Sequence, residues 1–234
     1  MKELIRKSFS KSTQFYEKEA IIQRKTAKLM GEYIQKFDGT GVDLGCGTGF
    51  LVDFYKEKDV IGLDLSLKMI KKYKQKNPNA IVGDIENLPF KTESVDFAVS
   101  NFSLHWTDFE RSVFEIFRIL KSGGKFYFNV PIKDSLSIVN KILNYENFNF
   151  LTEGQIIGIL QKYGFAIEKY YVREFQISFK TSMLFLEHLH KTGSMIGKKG
   201  KTLGEKKKII KQFQSYKKPV ILNYKTLFVL AEKN

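Results

Sequence analysis

Three glycines at alternate positions, Gly45, Gly47 and Gly49, follow the apolar run Val42-Asp43-Leu44, and two later apolar runs each end in a carboxylate, Asp64 and Asp84. Glycine lets the backbone turn sharply and approach a ligand closely, because no Cβ stands in the way. The amides opening the next helix are expected to face a ligand across that turn. A dinucleotide loop carries its third glycine one residue later. Here that position is Phe50, and the third glycine is Gly49.

The shift favours a loop built for S-adenosylmethionine (SAM) over a pyrophosphate cradle. SAM presents an amino-acid end, a ribose diol, an adenine and a sulfonium. In the loop Gly45-Cys46-Gly47-Thr48-Gly49, Gly45 and Gly47 admit main-chain contact with the amino-acid end, and Asp43 is placed to order its ammonium. Asp64 is expected to accept from both ribose hydroxyls. Asp84 is expected to accept from the adenine amine, with Ile85 as an apolar face and Leu65 and Met69 flanking the ring. Asn101 completes the set after the fourth strand. A lone strand-end Asp is more often a helix cap; three behind one glycine loop point to a site.

These residues need a scaffold that brings strand ends together. Strands are expected near 41–45, 60–64, 80–84, 95–100 and 125–130, with helices near 49–57, from the N-cap Ser66 to about Asn77-Pro78, and over 108–120. Residues 8–36 show a roughly helical apolar rhythm. This alternation predicts an α/β fold with a doubly wound, mostly parallel sheet, which binds ligands at the carboxyl ends of its strands. Further on, Thr152-Glu153-Gly154-Gln155 has capping-box form, and its helix is expected to stop at Gly164. Residues 165–179 read as a long strand and 223–231 as the closing one. Between them, 182–218 is basic and interrupted by Gly193, Gly197, Gly200 and Gly204, and reads as a helical lid inserted before the last strand. The whole reads as one domain of 234 residues.

Composition narrows the class. A hydrophobic fraction of 43% with 14% aromatics argues against disorder. No apolar run reaches the roughly 18 residues of a spanning helix, and the first residues form no signal-peptide core. One cysteine, Cys46, allows no internal disulfide and suits a reducing cytoplasm. Its plainer reading is a small packing residue. The net charge is +14, yet Arg6, Arg24, Arg111, Arg118 and Arg173 are the only arginines. Arginine is the usual reader of bases and phosphates, so an acidic protein partner fits this charge better than nucleic acid. His188 and His190 lack a completing set of ligands, so no metal is assigned.

After the fourth strand, Asn101-Phe102-Ser103-Leu104-His105-Trp106 lies where a methyl acceptor would sit. His105 could be a base, though a satisfied loop histidine is the simpler reading; Trp106 reads as packing.

The glycine loop with Asp64 and Asp84 resembles the class I SAM-dependent methyltransferases over residues 40–132. Outside that core, Phe9, Lys11, Tyr16, Ala20, Gln23 and Ala27 are similar to the N-terminal pattern of malonyl-acyl-carrier-protein (ACP) O-methyltransferases of biotin synthesis. Gly83 to Pro89, Ser100 to Trp106 and Leu222 to Phe228 also resemble that family. One segment departs: a lid pattern Leu-Lys-x-x-Gly-Ala stands here as Leu189-His190-Lys191-Thr192-Gly193-Ser194.

The resemblance implies methylation of the free carboxylate of malonyl-ACP, with SAM as cofactor, an acidic carrier protein as partner, and Gln23 among the cofactor residues. A carboxylate with a pKa near about 4 is ionised at neutral pH and needs no general base; none stands out in the sequence. Tyr16 is the candidate for closing over the methyl group, its alternative being a core aromatic. The malonyl carboxylate is expected to meet a cation, for which Arg173, Lys11 and Lys191 are candidates. A monomer is expected. The competing readings are a methyltransferase for a free, aconitate-like acid, an RNA-methylating protein and, disfavoured by Phe50, a dinucleotide oxidoreductase.

Overall fold

The computed structural model describes residues 1–55, 59–144, 146, 148–194 and 202–234. Two helices come first, α1 (Lys2–Glu19) and α2 (Ile21–Ile34). The alternating part runs β1 (Thr40–Leu44), β2 (Asp59–Asp64), α3 (Leu67–Tyr73), β3 (Ala80–Val82), β4 (Val95–Asn101), α4 (Phe109–Ile119) and β5 (Leu120–Pro131). Then follow α5 (Ser137–Leu143), α6 (Glu153–Lys162), β6 (Phe165–Phe179), α7 (Ser182–Lys191), α8 (Leu203–Ser215) and β7 (Val220–Lys233).

All seven strands join one sheet in the order β3-β2-β1-β4-β5-β7-β6. The first five are parallel, and β7 lies antiparallel between β5 and β6. The doubly wound expectation therefore holds. Register brings the site residues to one edge: Leu44 pairs with Leu63, Asp43 with Val99, and Asn101 with Asn129. Gly45, Asp64 and Asn101 thus leave the sheet side by side.

The sheet is covered on both faces, as parallel sheets require. One face packs Val113, Ile116 and Ile119 of α4 with Ile156 and Leu160 of α6. The other packs Ala27, Met30 and Ile34 of α2 against Phe97, Tyr127 and Phe228. A third cluster joins α5, α7 and α8 through Val139, Phe185, Leu189 and Phe213 to Leu222 and Tyr224. The lid expected at 182–218 is α7 and α8, with residues 195–201, including Gly197 and Gly200, outside the described residues.

Three expectations change. The helix expected across 8–36 is two helices, broken at the fully buried Ala20 (ψ 59°). The break lets α2 pack on the sheet while α1 crosses the carboxyl edge. The helix expected at 49–57 is, among the described residues, only a 3-10 turn at Val52–Phe54. Just beyond it the Tyr55 hydroxyl donates to Asp43 Oδ2 (2.6 Å), which ties this segment back to β1. Finally, α5 was unforeseen. Its ends are set by left-handed Leu136 (φ 58°) and Asn144 (φ 55°), residue types that give no strong boundary signal.

Candidate active site

Above the glycine loop lies a concave cleft, the usual form of a small-ligand site. Of the residues singled out in the sequence, it brings together Tyr16, Gly45, Gly47, Asp64, Leu65, Met69, Asp84, Ile85 and Asn101.

The loop's amides point inward. Gly45 and Cys46 donate to Leu63 O (2.7 and 3.0 Å), and Gly49 donates to Cys46 O (3.0 Å). Gly47 donates to Asp64 Oδ2 (3.0 Å). The amides of Gly45, Cys46 and Gly47 are thus engaged by the end of β2, and that of Gly49 within the turn. Gly45 has no alternative here. A Cβ on it would lie 2.3 Å from Ser103 Cβ, and its φ is +67°.

Asp64 accepts Ser66 N–H at Oδ1 (2.8 Å) and Gly47 N–H at Oδ2. Each carboxylate oxygen keeps a second lone pair, enough for a vicinal diol. Burial raises Asp64 to about 6, against the pull of those two amides. Asp84 binds Glu86 N–H (3.0 Å) and the Lys2 ammonium (2.6 Å). Lys2 also reaches Glu86 (2.7 Å).

Five assigned residues make contacts other than those expected. Asp43 is 1% exposed and sits behind the loop, holding Tyr55, which in turn meets Tyr73 (2.8 Å). Burial lifts Asp43 to about 7. Cys46 is buried, as the packing reading held, and neither it nor Gly49 lines the cleft. The Asn101 side chain clamps α2 to the sheet: Oδ1 accepts from Thr26 (2.7 Å) and Asn129 (2.8 Å), while Nδ2 donates to Gln23 O (2.8 Å). The Gln23 side chain lines a second, inner cavity instead.

Of the roof, sequence reasoning singled out Tyr16 and Phe9 but missed Lys2, Ile5 and Arg6; all five residues of α1 line the cleft. Their spacing of three, four and seven residues is one helix face, a signal present in the sequence. The roof is held by Ser10 to Ser66 (2.9 Å), Lys76 to Glu17 (2.7 Å) and Lys191 to Glu19 (3.6 Å). Tyr16 stacks on Phe50 (5.8 Å, 18°). The residue standing where a dinucleotide loop has glycine thus anchors the roof.

A narrow inner cavity shares the walls Phe9, Tyr16, Phe102 and Trp106 with the cleft. The lid contributes Thr192 and Ser194, whose hydroxyls are 2.9 Å apart, so the position departing from the lid pattern faces this cavity. Gly193 (φ +72°) permits close approach of the lid: a Cβ there would lie 3.1 Å from Ser12 Oγ and 3.2 Å from Phe9. The three proposed cations are all outside it. Arg173 is exposed on the edge strand β6, 5.9 Å from the Tyr171 ring centroid. Lys191 pairs with Glu187 (2.7 Å) as well as Glu19. Lys11 lies in an outer groove with Lys68, Lys71 and Lys72 of α3.

The cleft carries Asp64, Asp84 and Glu86 against Lys2 and Arg6, a small acidic excess in a chain of net charge +14. Such a local acidic set suits a cationic ligand with hydroxyls and opposes a pyrophosphate. SAM, with its ammonium, sulfonium and diol, fits these residues.

Fold and site together have the form of a class I SAM-dependent methyltransferase. Residues 42–128 match the family described as Methyltransferase domain. The chain is 33% identical over 141 residues to a malonyl-[acyl-carrier protein] O-methyltransferase of Hamiltonella defensa, covering 58% of this chain and 55% of that protein. The alignments thus span little more than half of some of these curated relatives. A malonyl-[acyl-carrier protein] O-methyltransferase of Calditerrivibrio nitroreducens is 26% identical over 239 residues, covering 97% of this chain and 95% of its own. Among solved structures, the YcgJ protein of Bacillus subtilis matches with TM-score 0.66 at 16% identity, over 90% of this chain and 98% of its own. A geranyl diphosphate methyltransferase in complex with SAM matches with TM-score 0.59 at 14% identity, over 90% and 85%.

Proposed function

We propose that this chain methylates the free carboxylate of malonyl-ACP, using SAM, as a step of biotin synthesis. The observation that carries the reading is the inner cavity, walled by aromatics and covered by the lid, sharing Tyr16 with the cofactor cleft. The alignment with the Calditerrivibrio enzyme along nearly the whole chain supports the substrate. The excess of 39 basic over 25 acidic residues supports an acidic carrier as partner.

SAM, when bound, supplies an electrophilic methyl group on a sulfonium. Asp64 holds the ribose, Asp84 and Ile85 receive the adenine, and Leu65 and Met69 flank it. Asp43 acts from behind, fixing the turn through Tyr55. Tyr16 closes over the reacting groups from α1 and keeps water out. Its hydroxyl stays protonated, because burial and the nearby Asp64 and Tyr224 raise its pKa.

No residue has to remove a proton. The acceptor is already an anion at neutral pH, and His105, lowered to about 3 by burial, would make a poor base. What remains is alignment of oxygen, methyl carbon and sulfur, an effect worth about 7–11 kcal/mol in well-oriented systems. The test is complementation of a biotin-requiring strain that lacks the malonyl-methylating step. Growth without biotin, lost on Asp64→Ala, is expected; no growth with the folded wild type present contradicts the reading.

A further inference from the structure

The inner cavity holds polar groups but, among the described residues, no lysine or arginine lines it. Tyr16 from α1, Tyr224 from β7 and His105 after β4 converge on it from three separate elements. The Nδ1 atom of His105 is buried without a hydrogen-bond partner. Its ring is boxed by Phe102 (5.6 Å), Trp106 (4.8 Å) and Phe150 (5.7 Å). A buried polar atom left unpaired is costly in a folded protein, which points to a partner arriving with a ligand. Thr192 donates to His188 O (2.9 Å) and shares a hydrogen bond with Ser194, which also meets the Tyr224 hydroxyl.

We propose that this cavity binds the acceptor carboxylate wholly through neutral donors, the hydroxyls of Tyr16 and Tyr224 and the ring of His105, with no side-chain cation. The inference rests on the proposed methylation of a carboxylate and names the groups that recognise it. Its physical reason lies in the charge change. A carboxylate lone pair forms the O–C bond while the C–S pair returns to sulfur, so an anion and a sulfonium become a neutral ester and a thioether. No proton moves. A lysine or arginine on the carboxylate would stabilise the separated charges of the ground state more than the transition state, in which they are vanishing, and so would slow the step. Neutral donors orient both oxygens while opposing the charge loss far less, and the low-dielectric aromatic box strengthens their hydrogen bonds. The sulfonium itself is the counter-ion.

The test compares His105→Leu, His105→Asn, Tyr224→Phe, Arg173→Gln, Lys11→Gln and Lys198→Gln/Lys199→Gln, each assayed with malonyl-ACP and titrated with S-adenosylhomocysteine. Asparagine keeps a donor near the place of Nδ1. His105→Leu and Tyr224→Phe are each expected to raise KM for the acceptor about tenfold. His105→Asn should stay within about threefold, and S-adenosylhomocysteine affinity should be unchanged in all. The lysine and arginine variants should leave KM for malonyl-ACP within the span of a surface charge effect, about threefold, and kcat unchanged. Unchanged KM in both His105→Leu and Tyr224→Phe overturns the inference. So does a tenfold rise in any cation variant that persists with malonyl-CoA, where carrier docking plays no part. If the wild type binds S-adenosylhomocysteine but leaves malonyl-ACP untouched, the substrate reading fails instead. The same variants are then read on malonyl-CoA, monomethyl malonate and trans-aconitate, and no methylation of any carboxylate overturns the inference as well.

Discussion

The Lys2 ammonium stands 2.6 Å from Asp84 Oδ2, on the carboxylate proposed to receive the adenine amine. With its second contact to Glu86, it straps the beginning of α1 across the mouth of the cofactor cleft. A ligand that reaches Asp84 must share it with this strap.

Removing the strap should therefore change rates more than affinity. Partly exposed ion pairs contribute about 0–1 kcal/mol, so Lys2→Ala should shift the S-adenosylhomocysteine dissociation constant by less than about fivefold. Association and dissociation should both become several-fold faster in stopped-flow fluorescence. Unchanged rate constants would mean that α1 does not gate the cleft.

Asp64 couples the ligand to protons. Burial holds it up to about 6 and holds Asp43 up to about 7, against about 3.9 in an unfolded chain. Between those values the folded state keeps protons that the unfolded state has released, so these two groups make stability fall as pH rises from about 4 to about 7. Ligand binding runs the other way, because an ionised Asp64 is the better acceptor for a diol. S-adenosylhomocysteine affinity should rise with pH through about 6 and level off above it. Calorimetric titrations across that range check this; an affinity independent of pH contradicts it.

Gly45 offers a double-mutant test of the loop. Gly45→Ala meets both the Ser103 contact and a left-handed φ, the second alone costing about 1–2 kcal/mol. In a Ser103→Gly background the contact is gone and the substitution should cost measurably less in urea melts. Equal costs in the two backgrounds would show that Ser103 is not what excludes a side chain at position 45.

Tyr16 separates packing from closure. Tyr16→Phe keeps the stack on Phe50 and should retain S-adenosylhomocysteine affinity while lowering turnover. Tyr16→Ala removes the roof over the loop and should lower both. If turnover is unchanged in both variants, Tyr16 is a core aromatic alone.

The strands and their terminal carboxylates were legible because each depends on a short, local pattern. Val60 to Asp64 and Ser66 sit in the structure as a strand and an N-cap, with Ser66 accepting from Met69 N–H (3.4 Å). The roof was harder to read. Its stripe from Lys2 to Tyr16 is plain as a helix face, but only the break at Ala20, which carries neither Gly nor Pro, turns that face onto the cleft. Asp43 misled for the opposite reason: its place beside the glycines suggests contact with a ligand, while a strand buried along its length and Tyr55 hold it inside. The expected cation lies elsewhere on tertiary grounds. Arg173 sits on an edge strand, and Lys191 is engaged by the distant Glu19 as well as by Glu187, an i,i+4 partner visible in the sequence.

The most direct check on the account is to incubate the purified chain with SAM and malonyl-ACP and follow the carrier by intact-mass spectrometry. One added methyl group is predicted on malonyl-ACP, absent on acetyl-ACP, which has no free carboxylate, and abolished by Asp64→Ala. Binding of SAM with no methyl transfer to malonyl-ACP, or equal transfer to acetyl-ACP, would contradict it.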